Sequence, residues 1–235
     1  MALPIVNELP KYEVTIPSSG KKTRFRPYLV KEEKALMMAF ETGDQITGLN
    51  GVIDTINACL DDPIDRKKLT SFDVEYLILK IRSKSVGEKI DINVKCKECE
   101  HSTSTSVVTD DIKVSESKHY KLITLTDKIS LEMKYPSLDI ISKFSDKSES
   151  QTEDLFKLVA LCIDTILTEE ERIDVKDNTE EELLDFLGSL TGEQFKKLSD
   201  FLSGIPKLSH AIKFKCSKCE KENEIIVEGL ASFFT

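Results

Sequence analysis

The 235-residue sequence has no tryptophan, only three histidines and only nine glycines, which are scattered along the chain. A glycine-rich loop that cradles phosphates therefore has no counterpart in it. None of the histidines stands in a recognisable motif with a serine, a cysteine or an acidic residue, so no nucleophile and base are indicated. The apolar runs are interrupted by charge and too short for a membrane-spanning helix. These absences predict a protein that is not an enzyme and that binds neither a small-molecule substrate nor a membrane.

The first residues also lack the basic start and the apolar core of a secretion signal. We therefore expect a cytosolic, reducing compartment. In such a compartment paired cysteines are more often metal ligands than disulfides.

The formal net charge of −9 is spread unevenly along the chain. Residues 146–200 hold 16 acidic and six basic side chains, whereas residues 11–36 hold seven basic and three acidic ones. This asymmetry suggests two surfaces that meet different partners. It is equally consistent with two solvated faces, since acidic triplets at helix starts complement the helix dipole on their own.

Hydrophobic periodicity predicts an α+β fold. Alternation over Tyr12–Ile16 and Thr23–Arg26, around a Pro-Ser-Ser-Gly turn, indicates a β-hairpin, and alternation returns between residues 89 and 135. Helices are predicted after Pro27 and over 46–60, 70–87, 138–144, 155–167, 180–187 and 194–202, and further strands over 211–215 and 224–227. We expect three parts: an N-terminal hairpin with helices (1–87), a β region (88–136 and 205–235) and an acidic helical insertion (137–204).

Two segments of the same pattern carry four of the six cysteines. In each, an alternating strand and a lysine lead into Cys-x-x-Cys, and a polar stretch leads into another strand. A Cys-x-x-Cys turn between strands is half of a zinc ribbon, and two halves supply the four thiolates that tetrahedral Zn²⁺ requires. We therefore predict a split zinc ribbon with one structural Zn²⁺ and four ligands: Cys96, Cys99, Cys216 and Cys219.

Other interpretations of the cysteines stay open at this stage. Each pair could be a redox dithiol or carry no ligand, although a thioredoxin-like pair precedes a helix. His101 stands two residues after Cys99 and is an alternative ligand. Cys59 and Cys162 lie on apolar helical faces, where free thiols are commonly buried, so we assign both to packing.

Nucleic-acid binding by a zinc ribbon is the main alternative function. Lysines surround the predicted site at positions 95, 97, 213, 215 and 218. The chain is nevertheless acidic overall, and apart from Phe214 no aromatic residue lies among these lysines to stack on bases. The lysines have a simpler role as well, because four thiolates around one divalent cation leave a net negative charge.

Two N-terminal stretches form a pattern of their own. Residues 2–5 read Ala-Leu-Pro-Ile, and residues 12–34 read Tyr-Glu-Val-Thr-Ile-Pro-Ser-Ser-Gly-Lys-Lys-Thr-Arg-Phe-Arg-Pro-Tyr-Leu-Val-Lys-Glu-Glu-Lys. This order of strand, Pro-Ser-x-Gly turn, strand and charged helix start resembles the T4-like bacteriophage baseplate hub subunits, also described as hub assembly chaperones. The paired Cys-x-x-Cys units and the closing Gly-Leu-x-x-Phe-Phe are similar to those of longer members.

The resemblance implies a structural or assembly protein of a contractile-tail baseplate that binds other hub proteins and has no catalysis of its own. It implies a location in the host cytoplasm during assembly. Whether the protein stays in the tail baseplate of the virion is left open.

Two segments are predicted to bind partners. The basic region near the N-terminus, where the resemblance is densest, predicts a surface for an acidic partner formed by Arg24, Arg26, Tyr28, Lys31 and Lys34. Near the other end, three apolar residues with the spacing of one helical face should enter a hydrophobic groove of this chain or of a hub partner. They are Leu230, Phe233 and Phe234.

Overall fold

The computed structural model describes residues 9–117, 121–144 and 150–229, in which helices alternate with small antiparallel sheets. This mixture confirms the predicted α+β class. The chain divides into two compact units: one holds the described residues of 1–65, 71–115 and 207–235, and the other those of 66–70 and 116–206. The three-part division expected from the sequence stays a prediction. No helix in the described part of the chain has the length and apolar character to cross a membrane.

The first unit begins with the predicted hairpin, formed by β1 (Tyr12–Thr15) and β2 (Lys22–Phe25). Alternation buries Val14 and Phe25 on its inner face. Three helices follow: α1 (Val30–Glu41), α2 (Gln45–Cys59) and α3 (Ser71–Ser85). The inner side of α3 supplies much of the core of this unit, with Leu77, Leu79 and Ile81 almost completely buried.

Helices α1 and α2 pack closely because glycines of α2 face α1. A Cβ atom added at Gly51 would lie only 2.6 Å from the Cβ of Ala39, so no side chain fits there unless the helices separate. Glu32 is the one buried residue described in α1. The helix therefore exposes several large apolar side chains: Val30, Met37, Met38 and Phe40.

Two longer hairpins complete the first unit: β3 (Lys89–Lys95) with β4 (Ser102–Val108), and β10 (Leu208–Lys215) with β11 (Glu222–Glu228). A short strand, β5 (Lys113–Val114), pairs with the start of β10. Alternate residues of both hairpins point into one core, which includes Ile92, Val94, Ile212 and Phe214. This shared core brings the tips of the two hairpins together.

The second unit has a four-stranded antiparallel sheet in the order β6 (Leu122–Thr124), β7 (Ser130–Met133), β8 (Ile163–Leu167), β9 (Arg172–Asp174). Its helices are α4 (Leu138–Phe144), α5 (Gln151–Cys162), α6 (Glu180–Gly188) and α7 (Gly192–Ser203). Thr179 and Thr191 begin α6 and α7 with capping boxes, which satisfy the first free amides of each helix. Leu131, Met133, Leu198 and Phe201 lie in the core.

The helix predicted over 155–167 is wrong in its second half. Helix α5 ends at Cys162, and the next five residues form β8, which pairs with β7 on one side and β9 on the other. Its Ile-Asp-Thr-Ile-Leu sequence is rich in β-branched residues, which favour a strand. The apolar run also fits helical spacing, so only the neighbouring strands decide its structure. The predicted linker 174–179 contains a short 3₁₀ turn with buried Val175.

Candidate metal centre

Both Cys-x-x-Cys segments form tight turns at the tips of hairpins. In the first turn the amide of Cys96 donates to the carbonyl of His101 at 3.0 Å, and the amide of Glu100 donates to the carbonyl of Cys96 at 2.9 Å. The second turn repeats both bonds at 2.9 and 3.0 Å, between Cys216 and Lys221 and between Glu220 and Cys216. The pattern that the two cysteine segments share in sequence is therefore repeated in their backbone geometry.

Each turn contains one residue in the left-handed region. Glu100 has φ 56° and Glu220 has φ 57°, and each directly follows the second cysteine of its turn. For a residue other than glycine, this conformation is less stable than a right-handed one by roughly 1–2 kcal/mol. Two such residues at equivalent positions indicate that both turns are held in a shape that directs their thiols inward.

The four thiols of the two turns converge on one point. The Sγ atoms of Cys96 and Cys219 are 3.6 Å apart, as are those of Cys99 and Cys216. All four Sγ atoms lie within 4.8 Å of one another. Sulfurs bound tetrahedrally at about 2.3 Å from a metal would be about 3.8 Å apart, so the spacing fits a metal ion at the centre. It exceeds the roughly 2.05 Å of a disulfide, and all four cysteines are free.

Amide groups of the turns lower the pKa of two of these thiols. The amides of Cys219 and Lys218 lower the pKa of the Cys216 thiol to about 6, and the amide of Glu98 is the main group that lowers the pKa of Cys96. Each hairpin thus presents one thiol that favours the thiolate, the form that binds metals.

Cys99 behaves differently. The amide of His101 donates to its sulfur, but burial and the three neighbouring thiols outweigh that bond and raise the pKa of Cys99 to about 12. A divalent cation at the centre would reverse this balance, because its charge favours thiolates at every position.

Each hairpin also supports the turn of the other. The side-chain oxygen of Asn223 accepts a hydrogen bond from the amide of Lys97 at 3.0 Å, and that of Thr103 accepts one from the amide of Ser217 at 3.3 Å. Thr103 and Asn223 each stand four residues after the second cysteine of their own turn. The two turns are therefore related by an approximate two-fold axis through the thiol cluster.

Asn223 departs from this symmetry, because its amide group also donates two hydrogen bonds that Thr103 does not make. Its Nδ2 donates to the sulfur of Cys96 at 3.4 Å and to the carbonyl of Lys221 at 3.0 Å, and the residue is 8% exposed. Neither Asn223 nor Thr103 was singled out from the sequence. The sequence feature that could have identified them is their equivalent position in the two cysteine segments.

The other two cysteines lie apart from this cluster and are buried. Burial raises the pKa of Cys59 to about 11 and that of Cys162 to about 12, so both stay protonated and unreactive. This agrees with their assignment to packing.

The residues predicted to bind an acidic partner differ in their solvent exposure and in their contacts within the chain. Arg24 is largely exposed but lies 3.1 Å from Asp61, and exposed Lys31 lies 3.4 Å from Glu32. Lys34 is exposed, whereas Tyr28 is half-buried and its burial raises the pKa of its hydroxyl. Arg26 is held inside the fold by several hydrogen bonds. As a partner surface the set stays a prediction, and the predicted tail residues, Leu230, Phe233 and Phe234, lie outside the described residues.

Comparison with known proteins adds to this geometry. A family model described as T4 bacteriophage base plate protein matches residues 9–235. The chain is also similar to "Baseplate hub assembly protein gp26" of Enterobacteria phage T4, with 27% identity over 228 residues that cover 95% of this chain and 98% of the relative. No solved structure matches the chain.

Proposed function

Because the chain belongs to the family of T4 bacteriophage base plate proteins, we propose that it is a hub subunit or hub assembly factor of a contractile-tail baseplate. The match to the T4 relative covers nearly the whole of both chains, which supports a shared role. Proteins of this family are structural or assembly proteins and not enzymes. In this proposal the protein acts by binding other hub proteins, in the host cytoplasm during assembly and in the tail baseplate if it is retained.

Within this role, we propose that the four-cysteine cluster holds one structural Zn²⁺ in a split zinc ribbon. Four thiolates form a closed tetrahedral shell, which leaves no position for water and so supports structure and not catalysis. The ion would join two hairpins whose cysteines are separated by 117 and 123 residues. Tetrahedral sulfur sites also suit iron, so elemental analysis of the purified protein decides which metal is bound.

Nucleic-acid binding is not favoured over this role. Two of the lysines that suggested it are paired with acidic residues of the second hairpin: Lys213 lies 3.7 Å from Glu224, and Lys215 lies 3.2 Å from Glu220. Lys221, also near the cluster, is 2.7 Å from Glu98. Acidic neighbours beside these lysines weaken the attraction for phosphate groups on which nonspecific binding depends.

The proposed role is tested in the phage that encodes the chain. A nonsense codon early in the gene should yield lysates that lack complete baseplates by electron microscopy, and expression of the chain in the host should restore them. Normal tails without the protein would contradict the role. Mass spectrometry of purified particles against infected lysate then separates a retained subunit from a transient assembly factor, and a salt-dependent gel shift on DNA or RNA would instead support the alternative.

A further inference from the structure

The outward face of α1 carries a stripe of four residues with a symmetrical arrangement. Lys34, Met37, Met38 and Glu41 stand at positions i, i+3, i+4 and i+7, which lie on one side of a helix. All four are exposed, and the two methionines are 59% and 57% accessible. The stripe therefore presents a small apolar centre with a positive charge at one end and a negative charge at the other.

We propose that this stripe, residues 34–41 of α1, binds the same stripe of a second copy of the chain in an antiparallel dimer. A two-fold axis between Met37 and Met38 would place Met37 of one copy over Met38 of the other. The same axis would place Lys34 of each copy beside Glu41 of its partner. The dimer would thus contain two equivalent pairs of opposite charge, as a two-fold interface between identical surfaces requires.

The remaining contacts of α1 support this choice of occupant. Neither Lys34 nor Glu41 has an ion pair with another described residue of its own chain, so both charges are available. Val30 and Phe40 of the same helix are also exposed, at 79% and 59%. Methionine side chains adapt readily to such contacts. A partner with a uniformly acidic surface would meet repulsion at Glu41, whereas a second copy satisfies both ends.

The helix is also held rigidly enough to present the stripe. The close approach of Gly51 to Ala39 fixes α1 against α2, and Glu32 anchors its first turn through the amide of Leu29 at 2.7 Å. Binding would therefore require little ordering of the backbone, which lowers its entropic cost. The inference is independent of the metal site and of the proposed baseplate role.

Charge reversal tests the pairing in the full-length protein by sedimentation equilibrium. Wild-type protein should form a dimer of twice 26.5 kDa. Lys34→Glu and Glu41→Lys should each raise the dimer dissociation constant by about tenfold or more, because symmetry turns two attractive contacts into repulsive ones. The double variant should return to the wild-type value, and an equimolar mixture of the two single variants should form a mixed dimer.

A matched control is Lys196→Glu, an equivalent reversal at an exposed position of α7, which should leave the dissociation constant unchanged. Circular dichroism verifies that each variant is folded. The proposal is overturned if wild-type protein stays monomeric at every attainable concentration. It is also overturned if either single variant associates like wild type, or if the double variant fails to recover.

Discussion

At the scale of single residues, Glu32 is a buried carboxylate, and Arg26 is the nearer of its two basic partners, at 2.9 Å against 3.4 Å for Lys31. Nη2 of Arg26 lies 2.9 Å from Oε1 of Glu32 and also donates to the carbonyl of Ala58, while Nη1 donates to the carbonyl of Pro27. The guanidinium thus joins the end of β2, the start of α1 and the end of α2. A variant at Arg26 would disturb folding before it tested any partner surface, so Arg24 is the better position for that test.

Replacing Arg26 by alanine should lower the free energy of unfolding by about 2–3 kcal/mol, since the buried Glu32 carboxylate loses its hydrogen-bonded counter-charge and keeps only the exposed ammonium of Lys31, 3.4 Å away. Arg24→Ala is the matched control. Its guanidinium is 60% exposed beside Asp61, and its loss should cost less than about 1 kcal/mol. Urea denaturation measures both, and equal losses would show that the Arg26 pair contributes no more than a surface pair.

The contribution of Glu32 should also depend on pH. Burial alone would raise the pKa of this carboxyl, but the hydrogen bonds from Arg26 and Leu29 outweigh it and lower the pKa below its ordinary value of 4.5. A lowered pKa means that the stabilisation is fully present above pH 4.5 and is lost as the pH falls through the folded-state pKa. Glu32→Gln should therefore destabilise the protein at pH 7, and the difference from wild type should shrink below about pH 4.5 in urea titrations.

Asn223→Ala should weaken metal binding while the four thiols remain. Its amide donates to the sulfur of Cys96 and its oxygen holds the amide of Lys97, and loss of such supporting groups typically costs 10–100-fold in metal affinity. Asn93→Ala, an exposed asparagine of the neighbouring hairpin, is the control and should leave affinity unchanged. Competition with a chromophoric chelator measures both. An unaltered affinity for the Asn223 variant would mean that its bonds serve only the hairpins.

At the scale of elements, the contact between α1 and α2 depends on a missing side chain. Alanine is normally better than glycine within a helix by roughly 1 kcal/mol. At Gly51 the added Cβ would meet the Cβ of Ala39 at 2.6 Å, so Gly51→Ala should lower the melting temperature despite its better helix propensity. In α6, a Cβ atom added at Gly188 would meet no atom from outside its own helix backbone within 4 Å, so Gly188→Ala should leave the melting temperature unchanged or raise it. The reverse order in thermal melts would contradict the close packing.

Local patterns were sufficient to predict the hairpins of the first unit and the pairing of the cysteine segments. Strict alternation over 90–94 and 211–215 allows only one face to be buried, so the tips of both hairpins follow from it. The α5–β8 boundary was not predictable in this way, because residues 163–167 become a strand only through β7 and β9. The role of Asn223 was not predicted, because nothing in the neighbouring sequence marks an isolated asparagine as functional. Its role depends on a turn more than 120 residues away.

At the scale of the whole molecule, the cysteine cluster links segments that are distant in sequence. Chelation of the proposed Zn²⁺ should lower the melting temperature, because metal binding at a structural site contributes directly to the free energy of folding. Re-addition of Zn²⁺ should restore it. Cys216→Ser should melt at the lower temperature and show no response to chelator. Cys162→Ala, a change in the core of the other unit, should melt lower but keep its response.

The interval between the two cysteine pairs also sets an order of events during synthesis. The 117 residues from Cys99 to Cys216 take a ribosome about 6–23 s to translate at about 5–20 residues per second. Throughout that time the first hairpin holds two cysteines, Cys96 and Cys99, and the second pair is not yet present. Closure of the cluster therefore requires that the whole of the second unit has already been translated. A chain released early, anywhere before Cys216, would lack half of the proposed metal ligands, and metal binding would thereby distinguish finished protein from truncated protein.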